Sequence, residues 1–351
     1  MEKNHISHFS DSTVAKLFGV LPDGKEVQEY TLTNGGKLEV SFINYGATIT
    51  ALRVKSSNGN TTDVVLGFET ITDYIESYAL PSPPYFGAVI GRYAGRIANA
   101  RFSIDGNDVA LDSNHGNNTL HGGKQGFCRK FWEVTALEQN ADNAFITFSY
   151  TSPEGEEHFP GELQVNVTYT LTADNEIKIS YSASTSEDTV INLTQHSYFN
   201  LDGHTADVLS QQLTVNSPAI LELKEDGIPT GKYIKAADKG YDFTSPASCP
   251  SSIDNSFALT DATLPAAILV SKNTGLKMTV YTDQPSVHIY VGGNCFGKVA
   301  GKEGAAYHPQ SGICFETQNY PDAPNHTNFP NSVLRKGNTY SQETTWKFET
   351  I

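Results

Sequence analysis

The β-hairpin pattern that decides the fold is clearest in the stretch LQVNVTYTLTADNEIKISY (residues 163–181). Apolar and polar residues alternate from Leu163 to Val167 and again from Ile177 to Tyr181. Between the two runs, residues 173–176 (ADNE) have the composition of a tight turn. A period of two places alternate side chains on opposite faces of a strand. The stretch therefore predicts two antiparallel strands joined by a turn.

The same pattern recurs along the whole chain. Alternating runs occupy residues 38–42, 144–148 and 276–281, and turn sequences occupy residues 33–36 and 104–107. The sequence has no convincing helical pattern a dozen residues long, and no repeat of fixed period that would indicate a propeller or a solenoid. We therefore expect an all-β protein built as a large antiparallel β-sandwich or barrel, with few short helices.

The domain organisation follows from the same pass along the chain. No Pro/Ser-rich linker divides the sequence, so residues 21–351 are expected to form a single β-sandwich domain. Residues 1–20 match no pattern and are expected to be an N-terminal extension. The glycine-rich segment 80–127 has fewer strand signals, and loops of that length in a compact protein are usually functional.

Charge and composition narrow the class of partner. The chain of 351 residues has 24 Lys and Arg against 39 Asp and Glu, a formal net charge of -15. This balance argues against nucleic acid or an anionic membrane as a partner, and a neutral small molecule suits it better. No apolar run approaches the roughly 18 residues of a membrane-spanning helix, and no signal peptide is evident, so a cytoplasmic location is expected.

The cysteines and glycines exclude several kinds of site. The four cysteines lie far apart without a C-x-x-C pair, which predicts free thiols in a reducing compartment rather than a zinc ribbon or a redox motif. They are Cys128, Cys249, Cys295 and Cys314. No glycine-rich phosphate-binding motif is present, so nucleotide binding is not supported.

Glu316 is the first candidate catalytic residue. It closes the apolar run 312–315, which has the pattern of a buried strand, and a polar stretch interrupted by prolines follows it. A carboxylate that a strand delivers to the mouth of a core can serve as a general base. The same position also fits a solvated glutamate at a strand end, and this segment alone leaves both interpretations open.

His196 is the second candidate. It lies in the segment INLTQHSYFN (residues 191–200). If a strand continues through this segment, the period of two places Asn192, Thr194, His196 and Tyr198 on one polar face. An imidazole on such a face can act as a general acid near neutral pH, or it can be hydrogen-bonded for structural reasons only.

Two loops supply further polar side chains. His121 precedes Gly122 and Gly123, in a loop that can bring backbone close to a ligand. Arg92 and Arg96 lie together in the segment GRYAGRI (residues 91–97). Their guanidinium groups can bind sugar hydroxyls or stabilise a developing oxyanion, or can form ordinary ion pairs.

Asp254 and Gln284 complete the candidates. Asp254 fits a binding carboxylate and fits equally well an Asx turn. Gln284 has the same strand parity as Ser286, His288 and Tyr290, opposite apolar residues, and such a polar face can line a cleft.

Five segments in order along roughly residues 20–351 closely resemble the galactose mutarotase, or aldose 1-epimerase, family. They are Asn44-Tyr45-Gly46-Ala47, GRYAGRI (91–97), Leu120-His121-Gly122-Gly123, QHSYFNL (195–201) and ETQNYPD (316–322). The chain is also similar to the mutarotase half of fungal bifunctional epimerase-mutarotase proteins. It has no dinucleotide-binding half, so only the mutarotase activity would transfer.

The resemblance implies a galactose mutarotase-like supersandwich with a cleft for a monosaccharide. It implies an isomerase that interconverts the α and β anomers of free aldoses such as galactose and glucose, without a metal or another cofactor. Glu316 is then expected to be the general base and His196 the general acid.

The resemblance also implies roles for the other candidates. His121 and Arg96 are expected to orient the substrate or to stabilise charge, while Asp254 and Gln284 are expected to bind hydroxyls. Gly95 departs from the family pattern, in which an asparagine commonly precedes that arginine, and this departure bears on how Arg96 is positioned.

Three other functions remain open. A hexose-6-phosphate 1-epimerase needs a cationic pocket, which the net charge disfavours, but two arginines in one loop keep it under consideration. A glycosidase would use Glu316 and Asp254 as its carboxylate pair. A non-catalytic sugar-binding β-sandwich would keep the cleft without turnover. The sequence gives no indication of oligomeric state.

Overall fold

The regular structure of this chain is almost entirely β. The computed structural model describes residues 15–56, 59–140, 144–293, 295 and 297–351. Within them the only α-helix is α1 (Ile71–Ser77), where the Thr70 hydroxyl caps the first turn by accepting from the backbone N–H of Asp73. The remaining helical segments are short 3₁₀ turns: Ala98–Ala100, Phe127–Arg129, Glu156–His158, Ala236–Lys239, Lys302–Gly304 and Ala323–Asn325.

The strands of the described residues pair in antiparallel ladders throughout. In chain order they are β1 (Ala15–Val20), β2 (Glu26–Thr33), β3 (Leu38–Ile43), β4 (Thr48–Lys55), β5 (Thr61–Asp63), β6 (Val89–Ile90), β7 (Arg96–Ile97), β8 (Arg101–Ile104), β9 (Asn107–Ala110), β10 (Thr119–Leu120), β11 (Glu133–Gln139), β12 (Ala144–Ser152), β13 (Leu163–Leu171), β14 (Glu176–Thr185), β15 (Thr189–Val190), β16 (Thr194–Gln195), β17 (Tyr198–Phe199), β18 (Gln212–Val215), β19 (Ala219–Leu223), β20 (Pro229–Lys235), β21 (Ala247–Ser248), β22 (Ile253–Ala258), β23 (Ala267–Ser271), β24 (Leu276–Thr282), β25 (Ser286–Val291), β26 (Ile313–Gln318), β27 (Val333–Leu334) and β28 (Thr339–Thr350). The prediction of an all-β, antiparallel protein with few short helices is confirmed.

The hairpin predicted over residues 163–181 is present as β13 and β14. The two strands pair in register from Leu163 opposite Thr185 to Leu171 opposite Ile177. Burial alternates along both strands, as the sequence pattern requires. The runs predicted at 38–42, 144–148 and 276–281 likewise fall within β3, β12 and β24.

Three large sheets build the molecule. One has nine strands in the order β11-β12-β13-β14-β28-β24-β23-β18-β21, one has six in the order β17-β26-β25-β22-β19-β20, and one has five in the order β1 to β5. Their inward faces share one buried apolar cluster. Ring centroids meet between sheets, at 4.6 Å for Phe42 and Tyr169 and 4.9 Å for Phe199 and Trp346. Because buried aromatic rings each remove about 150–250 Å² from water, these contacts stabilise the sandwich strongly.

The first strand lies within the segment that was expected to be an N-terminal extension. Strand β1 pairs with β2, from Ala15 opposite Tyr30 to Val20 opposite Glu26. Residues 15–20 are therefore part of the five-stranded sheet rather than of an extension. Residues 1–14 lie outside the described residues, and the single domain over residues 21–351 stays a prediction.

The six-stranded sheet gives the site its floor. Strands β26, β25 and β22 are neighbours, with Glu316 directly opposite His288 and Ser256 also opposite His288. A period of two places Glu316 and Gln318 on one face of β26.

In the described part of the chain, no helix is long and apolar enough to cross a membrane.

Candidate active site

A cavity of about 490 Å³ covers the polar face of the six-stranded sheet. This volume lies within the roughly 300–1,000 Å³ typical of small-molecule sites. Five of the six residues predicted from the sequence line it: Glu316, His196, Arg96, His121 and Asp254. They come from distant parts of the chain, which the fold brings to one place.

Glu316 and His196 face each other at the base of the cavity. The Nε2 atom of His196 lies 3.6 Å from Oε1 of Glu316, and both residues are about 3% exposed. The second carboxylate oxygen of Glu316, Oε2, is buried and has no hydrogen-bond partner among the described residues. A buried carboxylate beside an imidazole, with an oxygen free for a ligand, is a suitable pair for moving protons to and from a substrate.

The backbone around His196 differs from the prediction of one continuous strand. Strand β16 pairs with β6, while β17 pairs with β26, and His196 lies between them as the chain passes from one partner to the other. The Gln195 amide bridges this break, donating to Gly87 O at 2.6 Å and accepting from Ser197 N at 2.7 Å. The continuous strand on which the shared face of residues 192–198 depended is therefore absent, although His196 and Tyr198 both line the cavity.

The imidazole of His196 also meets a thiol. Its Nδ1 atom lies 3.8 Å from Sγ of Cys314, which lies two residues before Glu316 on β26. Burial, and then the charge of Glu316, raises the pKa of Cys314 well above its ordinary value, so the sulfur keeps its proton. Cys314 thus packs against the imidazole as a neutral group.

A backbone hydrogen bond fixes the tautomer of His121. The N–H of Gly95 donates to His121 Nδ1 at 3.2 Å, so this nitrogen must be the acceptor. Burial, and then the charges of His196, Arg96 and His288, lowers the pKa of His121 well below its ordinary value. The ring is therefore neutral with its proton on Nε2, which makes it a hydrogen-bond donor.

The same tautomer bears on metal binding. One ligand atom from each of His121, His196 and Glu316 lies within 4.8 Å of the others, close enough to surround an ion after small shifts. A histidine binds a metal through a nitrogen lone pair. Because His121 accepts on Nδ1, its Nε2 has no lone pair to give, and the cluster is built for hydrogen bonding rather than for a metal.

Arg96, Asp254 and His288 form one connected network. A terminal nitrogen of Arg96 lies 3.1 Å from Oδ2 of Asp254, and Nε2 of His288 lies 2.9 Å from Oδ1. Burial opposes ionisation, but the hydrogen bond of His288 and the charges of His288 and Arg96 lower the pKa of Asp254 below its ordinary value. Its side chain is 41% exposed towards the cavity, so the carboxylate can also accept from a ligand.

Gly95 and Asp322 hold Arg96 in place. Gly95 has a φ of +77°, a conformation that glycine adopts without strain and asparagine tolerates. Asp322 donates its N–H to Arg96 O at 2.8 Å, and its carboxylate accepts from Ala98 N at 2.9 Å. The loop after Glu316 is thereby tied to the strand that carries Arg96, with glycine in the place where the family pattern commonly has asparagine.

Two of the candidates, Arg92 and Gln284, lie away from the cavity. Arg92 is buried and donates to Gly161 O at 2.8 Å and Ser152 Oγ at 2.6 Å, so its role is structural. Gln284 does not line the cavity formed by the described residues; its amide donates to Asp283 Oδ1 at 2.8 Å. Strand β25 begins only at Ser286, so Gln284 lies in the turn before it rather than on the strand, and its hydroxyl-binding role stays a prediction.

Gln318 and the role of His288 were not predicted from the sequence. Both line the cavity, and Gln318 Oε1 is buried without a hydrogen-bond partner in the described structure. Buried polar atoms are normally paired, so this oxygen and Glu316 Oε2 point to a polar ligand. The period of two counted onward from Glu316 would have found Gln318.

Aromatic rings form a wall beside His121 and His196. The ring of Tyr85 lies 5.0 Å from His121 and 5.7 Å from His196 between centroids, and Tyr198 lies 5.3 Å from His196. These packed rings restrict the imidazoles to few orientations. Tyr85 lies in the glycine-rich segment 80–127 that was expected to be functional, but no sequence pattern singled out this residue within it.

Comparison with known proteins gives a consistent match over nearly the whole chain. The family model described as "Aldose 1-epimerase" matches residues 28–347. The galactose mutarotase of Sus scrofa is 38% identical over 346 residues, covering 95% of this chain and 98% of that protein. The aldose 1-epimerase of Escherichia coli (strain K12) is 33% identical, covering 93% and 96%.

A solved structure agrees with these matches. The GalM/aldose epimerase homologue from C. elegans superposes with a TM-score of 0.83 at 28% identity. The superposition covers 92% of this chain and 98% of the other. The match of the family model to residues 28–347 includes the strands β22, β25 and β26 of the cavity floor.

Proposed function

This chain belongs to the aldose 1-epimerase family, and we propose that it interconverts the α and β anomers of free aldohexoses with Glu316 as general base and His196 as general acid. The resemblance found in the sequence motifs and the galactose mutarotase-type fold are confirmed, and the chain is an isomerase of this class. The substrate range and the residue roles are the parts that we propose.

The observation that carries the proposal is the 3.6 Å separation of His196 Nε2 and Glu316 Oε1 at the base of the cavity. In an aldose, the anomeric hydroxyl and the ring oxygen are bonded to the same carbon, C1. The two groups that exchange protons with these oxygens must therefore lie close together, and this pair meets the requirement.

The reaction balances with these two residues alone. Glu316 takes the proton of the C1 hydroxyl, the bond between C1 and the ring oxygen breaks, and protonated His196 delivers a proton to the ring oxygen. The C1 aldehyde rotates about its bond to C2. On reclosure the C5 hydroxyl attacks the other face of the aldehyde, His196 takes back that proton, and Glu316 returns its proton to O1.

The other side chains bind and orient the sugar in this proposal. His121 donates from Nε2 to a sugar oxygen, and the Asp254 carboxylate accepts from hydroxyls beside Arg96. Gln318 Oε1 offers a further acceptor. None of these groups needs to exchange a proton with the substrate during the reaction.

Polarimetry on freshly dissolved α-galactose, α-glucose and α-glucose 6-phosphate tests the function. We expect acceleration of anomer exchange with the two free sugars, after subtraction of the spontaneous rate. A preference for the phosphate ester would assign the chain to the hexose-6-phosphate 1-epimerases instead. Release of a chromogenic aglycone without mutarotation would indicate a glycosidase.

Arg96→Lys is expected to weaken sugar binding and turnover together. Lysine keeps the positive charge but lacks the terminal guanidinium nitrogen that contacts Asp254 Oδ2 at 3.1 Å. Loss of a hydrogen bond to a charged group costs about 1.5–3 kcal/mol, so kcat/KM should fall roughly ten- to a hundredfold. Steady-state polarimetry measures this change.

Arg101→Lys provides the matched control for this variant. Arg101 is exposed on β8 and lies 3.7 Å from Asp108, an arrangement that contributes little. Equal kcat/KM values for the two variants would contradict the binding role of Arg96.

We also propose a cytoplasmic location. All four cysteines are free and buried in the structure, which is compatible with a reducing compartment. Immunodetection in fractionated cells tests this, and recovery of the protein in a secreted or membrane fraction would contradict it.

A further inference from the structure

His288 is a buried histidine that no step of the proposed reaction uses. Its Nε2 atom lies 2.9 Å from Asp254 Oδ1 and its Nδ1 atom lies 2.8 Å from Ser256 Oγ, and the residue is 8% exposed. Both ring nitrogens therefore have polar protein partners. The ring is held firmly at the cavity floor, with no nitrogen left to bind the sugar directly.

The partners on the two nitrogens permit a doubly protonated ring. An ionised carboxylate only accepts hydrogen bonds, so Nε2 must carry a proton. A serine hydroxyl can accept as well as donate, so Nδ1 can carry a second proton without losing its partner. The surroundings therefore accommodate an imidazolium as well as a neutral imidazole.

Charged and titratable groups from several elements face this ring. Asp254 on β22 touches it, and Glu316 on β26 lies directly opposite in the strand register. Arg96 on β7 reaches the far oxygen of Asp254. Directly opposed residues in a strand pair have Cβ atoms about 4.5–5.5 Å apart, so two carboxylates lie within short range of His288. The other titratable or charged groups that line this cavity are Tyr78, Tyr85, His115, His121, Lys124, Arg129, His196, Tyr198 and Tyr290.

We propose that His288 is a positioning residue which, as an imidazolium, holds Asp254 in the orientation that accepts sugar hydroxyls, and that loss of its proton weakens sugar binding. This inference rests on the proposed function of the cavity as an aldose site. It makes substrate affinity, in addition to proton transfer, sensitive to pH.

The direction of the pKa shift supports the geometry. Burial alone would lower the pKa of His288, but the hydrogen bond and charge of Asp254, with the charge of Glu316, raise it above its ordinary value. A raised pKa means that the imidazolium is present below neutral pH and is lost as the pH rises through the raised value. The contribution to binding should disappear on the alkaline side.

Two neighbouring groups do not change charge as the pH rises through the pKa of His288. The pKa of His121 is lowered well below its ordinary value by burial and the nearby positive groups, so this ring is already neutral. Burial, and then the charges of Asp254, Cys314 and Glu316, raises the pKa of Tyr290 to about 12, so the phenol keeps its proton. An alkaline loss of affinity that depends on residue 288 is thus separable from these groups.

His288→Gln and His288→Ala test the inference. A glutamine amide can donate to Asp254 but cannot become charged, so galactose affinity of His288→Gln should no longer fall on the alkaline side. Removal of the donor in His288→Ala should raise the dissociation constant of galactose about ten- to a hundredfold at neutral pH, the range for a hydrogen bond to a charged group. Calorimetry measures both, after thermal unfolding has verified that each variant is folded.

An NMR titration of the imidazole signals provides a readout that packing alone would not move. The signal that disappears in His288→Gln should titrate above the roughly pH 6.5 of a free histidine in the unmodified protein. Titration at or below that value would overturn the inference. So would an alkaline loss of galactose affinity that persists unchanged in His288→Gln.

These results are independent of whether anomer exchange is accelerated. Calorimetry reports binding and NMR reports the protonation of the ring, while polarimetry reports the reaction. A protein that binds galactose with the expected pH dependence but leaves mutarotation at its spontaneous rate would contradict the proposed function and support the inference about His288.

Discussion

Glu316→Gln is expected to abolish measurable mutarotation while leaving the fold intact. Glutamine has nearly the shape of glutamate and can occupy the same site on β26, but it cannot accept the proton of the anomeric hydroxyl. General acid-base steps contribute on the order of 10² to 10⁴ in rate, and a loss of that size brings the reaction close to the spontaneous rate. The measurement is polarimetry on freshly dissolved α-galactose, corrected for spontaneous rotation.

A second glutamate gives the matched control. Glu133 is exposed on β11, in the nine-stranded sheet, and does not line the cavity of the described residues. Glu133→Gln makes the same chemical change on a strand and should retain the activity of the unmodified protein. Near-normal mutarotation by Glu316→Gln, with the same thermal unfolding midpoint as the control, would remove Glu316 from the role of base.

The strands were predictable because their signal is local. In the hairpin from Leu163 to Tyr181, each strand alternates with a period of two and the turn residues lie between them. The side chains that face the core are thereby fixed by the pattern itself. Short two-residue ladders such as β6 with β16 have no such pattern, because the residues that pair in them are far apart in the chain.

The proposed catalytic pair was predictable from motifs, whereas the contacts of these two residues were not. Glu316 and His196 lie in segments that resemble a known family, but the pairing of β17 with β26 that brings them together cannot be read from either segment. The interruption of the strand at His196 is likewise a result of tertiary pairing. Where a functional site is formed, pairing between distant strands overrides the local strand propensity of the sequence.

The placement of Gln284 on a strand and the omission of His288 have one cause. The period of two groups Gln284, Ser286 and His288 on one face, but it gives neither the point where the strand begins nor the strand that lies opposite. The register of β25 against β22 and β26 decides that His288 meets Asp254 and Glu316. The turn before β25 directs Gln284 to Asp283 instead.

His196→Asn is expected to cause a loss similar to that of Glu316→Gln. Asparagine retains hydrogen bonding but cannot deliver a proton to the ring oxygen, so the rate should fall by on the order of 10² to 10⁴. His158→Asn is the matched control, because His158 is an exposed histidine with a φ of +67°, a conformation that asparagine tolerates. The control should keep full activity in the same polarimetric assay.

The double variant His196→Asn/Glu316→Gln decides whether the two residues act as one unit. If the 3.6 Å pair transfers both protons in a single ring-opening step, removing the second partner costs little once the first is lost. We therefore expect the double variant to be no slower than the slower single variant. A rate reduced by the product of the two separate losses would mean that the residues act independently, contrary to the paired mechanism.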